Sequence, residues 1–422
     1  MPITRIAVSN FKSFSELDVT LSSMNVVIGS NASGKSNFIS IFRFLRDIAR
    51  NGLSNAIAMQ GGPEYLRNSR IGLARPLSVR VDYNADPGFE TIRETEGSDT
   101  VIAARSSGST YEFSVQFHEP GRGFSIPLDQ LTIRCQVFEC KKGAINPEKE
   151  GRLIGEGSIV VSSSGGFATT TITLPPSCPF TANDIIPPIY RRRPISEKSL
   201  LLETPFVSPL PHAEKFFDQL AVYDIDPKLP RKGVVITGRS ELEEDGGNLA
   251  LVIKIISENP EKKRKLGNLI KDVLPFIEDF SVQKFMDVSL IMTMRERYAR
   301  QQDLPASSLS DGTITIFALI VILYFEDKPF IIIEEPVSHI HPFLVGRLLA
   351  MMKEVSGHRQ LMITTHSTEV VRHADLNDIL LITRDKEGFS AISRPADKEE
   401  VKTFLENDVG IEELYAQNLL GL

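Results

Sequence analysis

The stretch Gly29-Ser30-Asn31-Ala32-Ser33-Gly34-Lys35-Ser36 has the spacing of a phosphate-binding loop, and its surroundings restrict the fold more than the string itself does. Before it, Met24 to Ile28 is a short continuous apolar run of the kind that forms a strand buried on both faces. After it, Phe38, Ile39, Ile41, Phe42, Leu45, Ile48 and Ala49 recur at helical spacing and stop before Gly52, a helix C-terminal signal. Strand, glycine-rich turn and helix in that order predict an α/β domain. Its loop N–H groups and helix N-terminus would offer partial positive charge to phosphates. Gly29, Ser30, Asn31, Ala32, Ser33, Gly34, Lys35, Ser36 and Asn37 are then candidates to surround ATP. Lys35 would reach the β and γ oxygens and Ser36 would ligate Mg²⁺. A chance glycine-rich turn is the alternative, and the flanking strand and helix argue against it.

Three later stretches extend this chemistry. Phe330 to Ile333 is an apolar strand ending in Glu334 and Glu335. An acid pair in that place either caps a helix N-terminus or serves a nucleotide, and the upstream loop favours the second. Glu334 would hold the Mg²⁺ shell and Glu335 would orient or deprotonate the attacking water. Leu309-Ser310-Asp311-Gly312-Thr313 precedes the apolar run Ile314 to Phe325; Ser310 and Gly312 suit a phosphate, and Ser310 equally suits a plain helix N-cap. Leu361 to Thr365 is another buried strand, followed by His366 and Ser367, where the histidine either senses the γ-phosphate or serves structure.

Between these motif regions, alternating runs such as Leu77 to Tyr83, Tyr111 to Phe117 and Leu131 to Phe138 predict antiparallel strands. Pro187, Pro188, Pro205, Pro209 and Pro211 mark a boundary. Helical patterns follow at 213–220 and 247–257, with another opened by Asn259 as N-cap and Pro260 in the first turn. Asp287 to Arg297 reads as a strand. The division expected is 1–70 for the first part of the α/β head with the P-loop, 71–178 for a β-rich subdomain, 179–280 for an inserted helical lobe, and 281–422 for the second part of the head.

Charge and cysteine content exclude several classes. A net charge of −7 argues against coating nucleic acid by bulk charge. Arg191, Arg192 and Arg193, and Lys262, Lys263, Arg264 and Lys265, either contact phosphate backbones or form solvated faces; Arg295, Arg297 and Arg300 are candidates for an interface. Three cysteines, Cys135, Cys140 and Cys178, fit a reducing compartment better than a disulfide framework and suggest no metal site. The N-terminus lacks a signal-peptide core and no apolar run is long enough to span a bilayer, so the expected location is the cytoplasm, with no membrane partner.

Taken in order, the opening Asn10-Phe11-Lys12-Ser13-Phe14, the P-loop, the Leu309 to Thr313 signature, the Glu334-Glu335-Pro336 strand end with His341-Pro342, and Thr364-Thr365-His366-Ser367 resemble the ABC-type ATPase heads of the SMC, RecF and OLD-nuclease group. Leu242 to Leu249 resembles the helical lobe of compact, mostly bacterial AAA-family ATPases of abortive-infection and phage-defence systems. The resemblance implies an ATPase head built from both chain ends, in which Ser310 and Gly312 reach the γ-phosphate held by a second copy. It implies a homodimer or higher homo-oligomer, ATP and Mg²⁺ as cofactors, and Gln60 as a Q-loop candidate. The TOPRIM nuclease domain of OLD nucleases does not fit after Ser367, so an effector would be a separate protein; nucleic acid remains a possible partner. Glu334 departs from the aspartate usual at its place, and Val337 from the usual acid; His339 is an interface residue or, less in keeping with its surroundings, a metal ligand. Two functions are expected: ATP-driven closure that drives or gates a partner, in phage defence or DNA maintenance, or a constitutively oligomeric nucleotide sensor that holds a toxin or nuclease.

Overall fold

The computed structural model describes residues 3–84, 89–94, 99–144, 146–185, 188–203, 213–236, 240–285, 289–298, 302–406 and 409–420. Pro187, Pro205, Pro209, Pro211, Asp287 and Arg300, singled out above, lie outside the described residues. The chain divides into two compact units, one of Met1–Ser22, Ser36–Leu220 and Arg384–Ile392, the other of Ser23–Lys35, Ala221–Thr383 and Ser393–Leu422.

The first unit is built on a nine-stranded sheet. Its strands run in the order Arg192–Pro194, Phe167–Thr173, Arg152–Ser164, Phe124–Lys141, Thr100–Phe117, Leu77–Tyr83, Ile3–Phe11 and Phe14–Thr20, with Phe89–Glu94 beside Thr100–Phe117. Neighbouring strands are antiparallel. Residues of alternating character give strands with one buried and one wetter face, as in the alternation along Leu77–Tyr83. The helix Lys35–Asn51 belongs mostly to this unit, and the aromatic rings its sequence spaced at helical intervals meet there: Phe44 lies 6.0 Å from Phe11 and 6.5 Å from Phe113, and Phe38 lies 6.4 Å from Phe14.

The second unit carries most of a six-stranded sheet, the strands Ala221–Tyr223, Phe330–Glu334, Gln360–Thr365, Met24–Ile28 and, but for its last residue, Ile379–Arg384, in that order. The pairs from Ala221–Tyr223 through Ile379–Arg384 are parallel. Met24–Ile28 and Gln360–Thr365 are buried throughout, their polar members Asn25, Gln360, Thr364 and Thr365 included. The apolar run after the signature forms the helix Asp311–Tyr324, buried from Thr313 to Leu323. Asn259 caps the helix Pro260–Val273 by accepting from the Glu261 and Lys262 amides. A small four-stranded antiparallel sheet adds Val234–Val235, Ser289–Glu296, Ile277–Phe285 and Asp303–Pro305. Among the described residues no helix is long and apolar enough to cross a membrane.

The head therefore draws on both ends of the chain, as expected, and on one segment that was not. Ala221–Tyr223, assigned by sequence to the helical lobe, pairs with Ile331–Ile333 as the edge strand of the parallel sheet. Three residues are too few to display a periodicity of two, so the pattern reading had nothing to detect.

Candidate nucleotide-binding site

Parallel pairing decides where the chemistry gathers. Thr365 is in register with Ile28, and Glu334 with Thr364, so the strands carrying the P-loop, the acid pair and His366 end side by side. Ligands of open α/β sheets collect at such carboxyl ends, where the backbone leaves the ladder and side chains are free to converge.

The loop leaves Met24–Ile28 at Gly29, where a Cβ would collide with the carbonyl oxygen of Ile382 and stand 2.6 Å from Ser33 Oγ. Only glycine fits there. Ala32 at φ 61° and Gly34 at φ 121° have the positive φ from which anion-holding nests of N–H groups are built, and the Ser33 amide between them closes the turn on the Ser30 carbonyl at 3.2 Å. The chain then enters the helix beginning at Lys35, with Ser36 exposed and Asn37 half-buried. Lys35 Nζ donates to the carbonyls of Gly29, at 2.7 Å, and Ser30, at 3.2 Å. Burial pushes the Lys35 ammonium down from its ordinary value, and the Glu335 carboxylate opposes that shift. Lys35 and Glu335 are thus close enough to feel each other's charge.

Glu335 follows the strand Phe330–Glu334 at φ 43°, a left-handed conformation that costs a non-glycine residue of the order of 1–3 kcal/mol. Its amide donates to the Thr364 carbonyl at 3.0 Å, which fixes the turn, and its Oε1 lies 2.8 Å from Nδ1 of His366. The two candidate catalytic residues are therefore joined by a hydrogen bond. Glu334, half-buried, ends the strand itself.

Ser310 performs the capping role that its sequence position allowed: its Oγ accepts from the Thr313 amide at 3.1 Å at the start of the signature helix. Gly312 has a reason of its own, because a Cβ there would lie 2.5 Å from the carbonyl oxygen of His339. The signature helix and the segment after Glu335 thus touch backbone to backbone. Arg231 secures the same corner, donating to the Leu309 carbonyl and pairing with Asp311 at 2.6 Å. His341 caps the helix Pro342–Ser356 through its Nδ1, and Phe343 beside it is 86% exposed.

Other sequence candidates find different settings. Gln60 ends the short helix Leu53–Met59 ahead of the left-handed Gly61 and Gly62. Lys12, from the opening motif, donates to Ser40 Oγ at 3.2 Å, and Ser40 Oγ donates to the Ser36 carbonyl at 2.7 Å, so this lysine braces the first turn of the P-loop helix. Of the basic clusters, Arg192 stacks 3.9 Å from the Phe167 ring, Lys265 lies over Tyr324 and Phe325, and Arg295 pairs with Asp303 at 2.8 Å. Part of the charge offered for nucleic acid is engaged internally. Among the described residues no group of three or more His, Cys, Asp or Glu side chains is placed to hold a metal ion.

The site holds one residue that the sequence did not point to. Burial raises the pKa of Tyr415, on the helix Ile411–Ala416; the Gly29 amide opposes that shift and the Glu335 charge adds to it. A lone tyrosine far along the chain from the loop carries no local signal.

A family model described as "AAA domain, putative AbiEii toxin, Type IV TA system" matches residues 24–127 and 255–372, more than half of the chain. Similar solved structures include an SMC head bound to the C-winged helix domain of ScpA (17% identity, TM-score 0.47, covering 93% of this chain and 98% of that one). The SMC head domain from Thermotoga maritima aligns at 14% identity and TM-score 0.38, covering 93% of this chain and 99% of that one. An Smc head with an extended coiled coil, bound to the C-terminal domain of ScpA and derived from Pyrococcus furiosus, aligns at 14% identity and TM-score 0.39, covering 96% and 99%. No curated protein sequence matches the chain.

Proposed function

The chain belongs to the family of AAA domains described as putative AbiEii toxin of a type IV TA system, and from that premise we propose that it hydrolyses ATP and closes head to head on a second copy while ATP is bound. The observation that carries this reading is Glu335, held in a strained turn at the end of a buried strand, bonded to His366 and within electrostatic reach of Lys35. A carboxylate so oriented, beside a phosphate-binding nest, is suited to take a proton from water attacking a phosphoryl group.

The binding role falls to the backbone amides from Gly29 to Asn37, with Lys35 leaving its two carbonyl partners to meet phosphate oxygens. The Ser36 hydroxyl and the Glu334 carboxylate are hard oxygen donors of the kind that suits Mg²⁺, and these two residues would hold it. When bound, that ion neutralises phosphate charge. His366 orients Glu335 through their 2.8 Å contact. Ser310 and Gly312 would complete the site of the opposing copy. A separate effector protein, in phage defence or DNA maintenance, would read the closure; nucleic acid is a secondary partner.

The test is the solution mass of Glu335→Gln protein with and without Mg-ATP, with Lys35→Ala as control. We expect a mass that doubles only with ATP, together with turnover lowered about a hundredfold or more. A large mass independent of nucleotide would overturn closure and favour the permanently oligomeric sensor that holds its effector.

A further inference from the structure

The signature turn is clipped by a single nitrogen. Arg231 Nη2 donates to the Leu309 carbonyl at 2.6 Å and lies 2.6 Å from Asp311 Oδ1, so it holds the residues on either side of Ser310. Leu309 is buried, Ser310 is exposed with its hydroxyl capping the helix behind it, and a Cβ on Gly312 would meet the His339 carbonyl. Arg231 reaches this turn from the edge of the parallel sheet. Beyond Ala221–Tyr223, the Asp224 amide donates to the Glu244 carbonyl at 2.8 Å and the Asp226 amide to the Asp245 carbonyl at 3.0 Å, which lays this stretch along the turn before the helix Leu249–Ser257. The Leu229 amide turns back to the Asp226 carbonyl at 3.1 Å and Pro230 is buried, so Arg231 leaves a fixed corner. The far end of the signature helix is tied to the same region, because the Leu242 amide donates to Glu326 Oε1 at 2.9 Å. All of these residues belong to the second unit.

We propose that Arg231 is a positioning residue for head-to-head closure: it neutralises Asp311 and holds Ser310 and Gly312 ready for the triphosphate of the opposing copy. This inference rests on the closure reading and deepens it by naming what makes the signature acceptable to an anion. Asp311 stands between the two residues assigned to phosphate, and a free carboxylate there would repel the incoming charge. The guanidinium beside it cancels that charge. The two side chains are 29% and 32% exposed, so in the open chain their pair contributes little to folding. Its contribution grows when a second copy covers the turn and water no longer screens it. Arg231 acts through the signature, which serves the opposing copy, so its loss weakens closure and spares ATP binding by the copy that carries it.

The experiment uses full-length Glu335→Gln protein as the parent. Closure is read as the dimer dissociation constant in saturating Mg-ATP, and ATP affinity is read in protein dilute enough to be monomeric. Adding Arg231→Met is expected to raise the dimer dissociation constant about tenfold or more, with ATP affinity within about twofold of the parent. Adding Asp311→Asn as well removes the charge that needs cancelling and is expected to restore closure to within about threefold of the parent, a rescue that a purely structural arginine would not allow. Should Arg231→Met not fold, Arg231→Gln takes its place with the same expectations. Undisturbed closure in the arginine variant would overturn the proposal, as would a double variant no better than the single one, or a fall in ATP affinity as large as the loss of closure. A parent that never doubles with Mg-ATP would sink the closure reading and the role of Arg231 with it. A parent that doubles beside an indifferent arginine variant would sink the role of Arg231 alone.

Discussion

Every residue of Met24–Ile28 and Gln360–Thr365 in the parallel sheet is buried, whereas Leu77–Tyr83 in the antiparallel sheet alternates between core and surface. The parallel strands have no exposed side-chain face to spare for chemistry: the polar side chains within them, Asn25, Gln360, Thr364 and Thr365, are buried, and the candidate site residues Gly29, Glu335 and His366 come just after the strands end. The antiparallel strands keep a wet face along their length and spend it on charge: Arg5 pairs with Asp18, Arg80 lies 3.4 Å from Asp82 and 3.9 Å from Glu112. A polar residue in the first setting is an exception that does work, and one in the second is ordinary surface. The difference also tells which substitutions should alter function and which should alter only stability.

The largest effect expected is at a strand end. Lys35→Ala should weaken ATP binding about a hundredfold, because it removes the charge aimed at the phosphates, and should leave the unfolding temperature nearly unchanged. Calorimetric titration beside a melting curve checks both; a collapse in stability with normal binding would break the comparison.

A smaller effect, and the reverse kind, is expected at Asp129, which the antiparallel unit buries to 1% exposure between the Tyr111 hydroxyl at 3.0 Å and the Leu201 amide at 2.8 Å. Burial raises this carboxyl from 3.8 to about 7, against the opposing effect of its two hydrogen bonds. The folded value lies above the unfolded one, so the stabilisation is fully present below about pH 4 and is lost as the pH rises through about 7. Between pH 5 and 7 the wild type should lose roughly 2 kcal/mol more than Asp129→Asn does, seen in denaturant midpoints. Equal pH profiles would show that Asp129 is not protonated in the fold.

The smallest effect belongs to the exposed ladder. Arg80→Ala should cost less than about 1 kcal/mol and leave ATP binding untouched, since its pairs are screened by water. A change in nucleotide affinity here would show that the wet face reaches the site after all.

The sequence made the strand ends legible and left their assembly obscure. The P-loop, the acid pair and Thr364 to Ser367 are contiguous stretches whose residue types answer to one chemical demand, and the structure sets their strands side by side. The buried helix Asp311–Tyr324 was equally plain in its apolar run. Ala221–Tyr223 was missed because an edge strand of that length is defined by its neighbour rather than by its own pattern. The left-handed turn at Glu335 and the reason for Gly312 were hidden too, since each follows from backbone elsewhere: the Thr364 carbonyl in one case and the His339 carbonyl in the other.

The place of Met24–Ile28 in the sheet also sets a timetable. Its neighbours are Gln360–Thr365 and Ile379–Arg384, and Asn25 hydrogen-bonds the carbonyl of Leu361 across 336 residues of chain. On the ribosome, at roughly 5–20 residues per second, the P-loop strand is made early and waits on the order of tens of seconds for the strands that flank it. Until they arrive, its apolar residues have no sheet to join, which makes the half-made chain a natural client for chaperones. Nucleotide binding by this site is therefore a property that appears late and all at once, so a truncated product ending before residue 360 would carry the motif without the function.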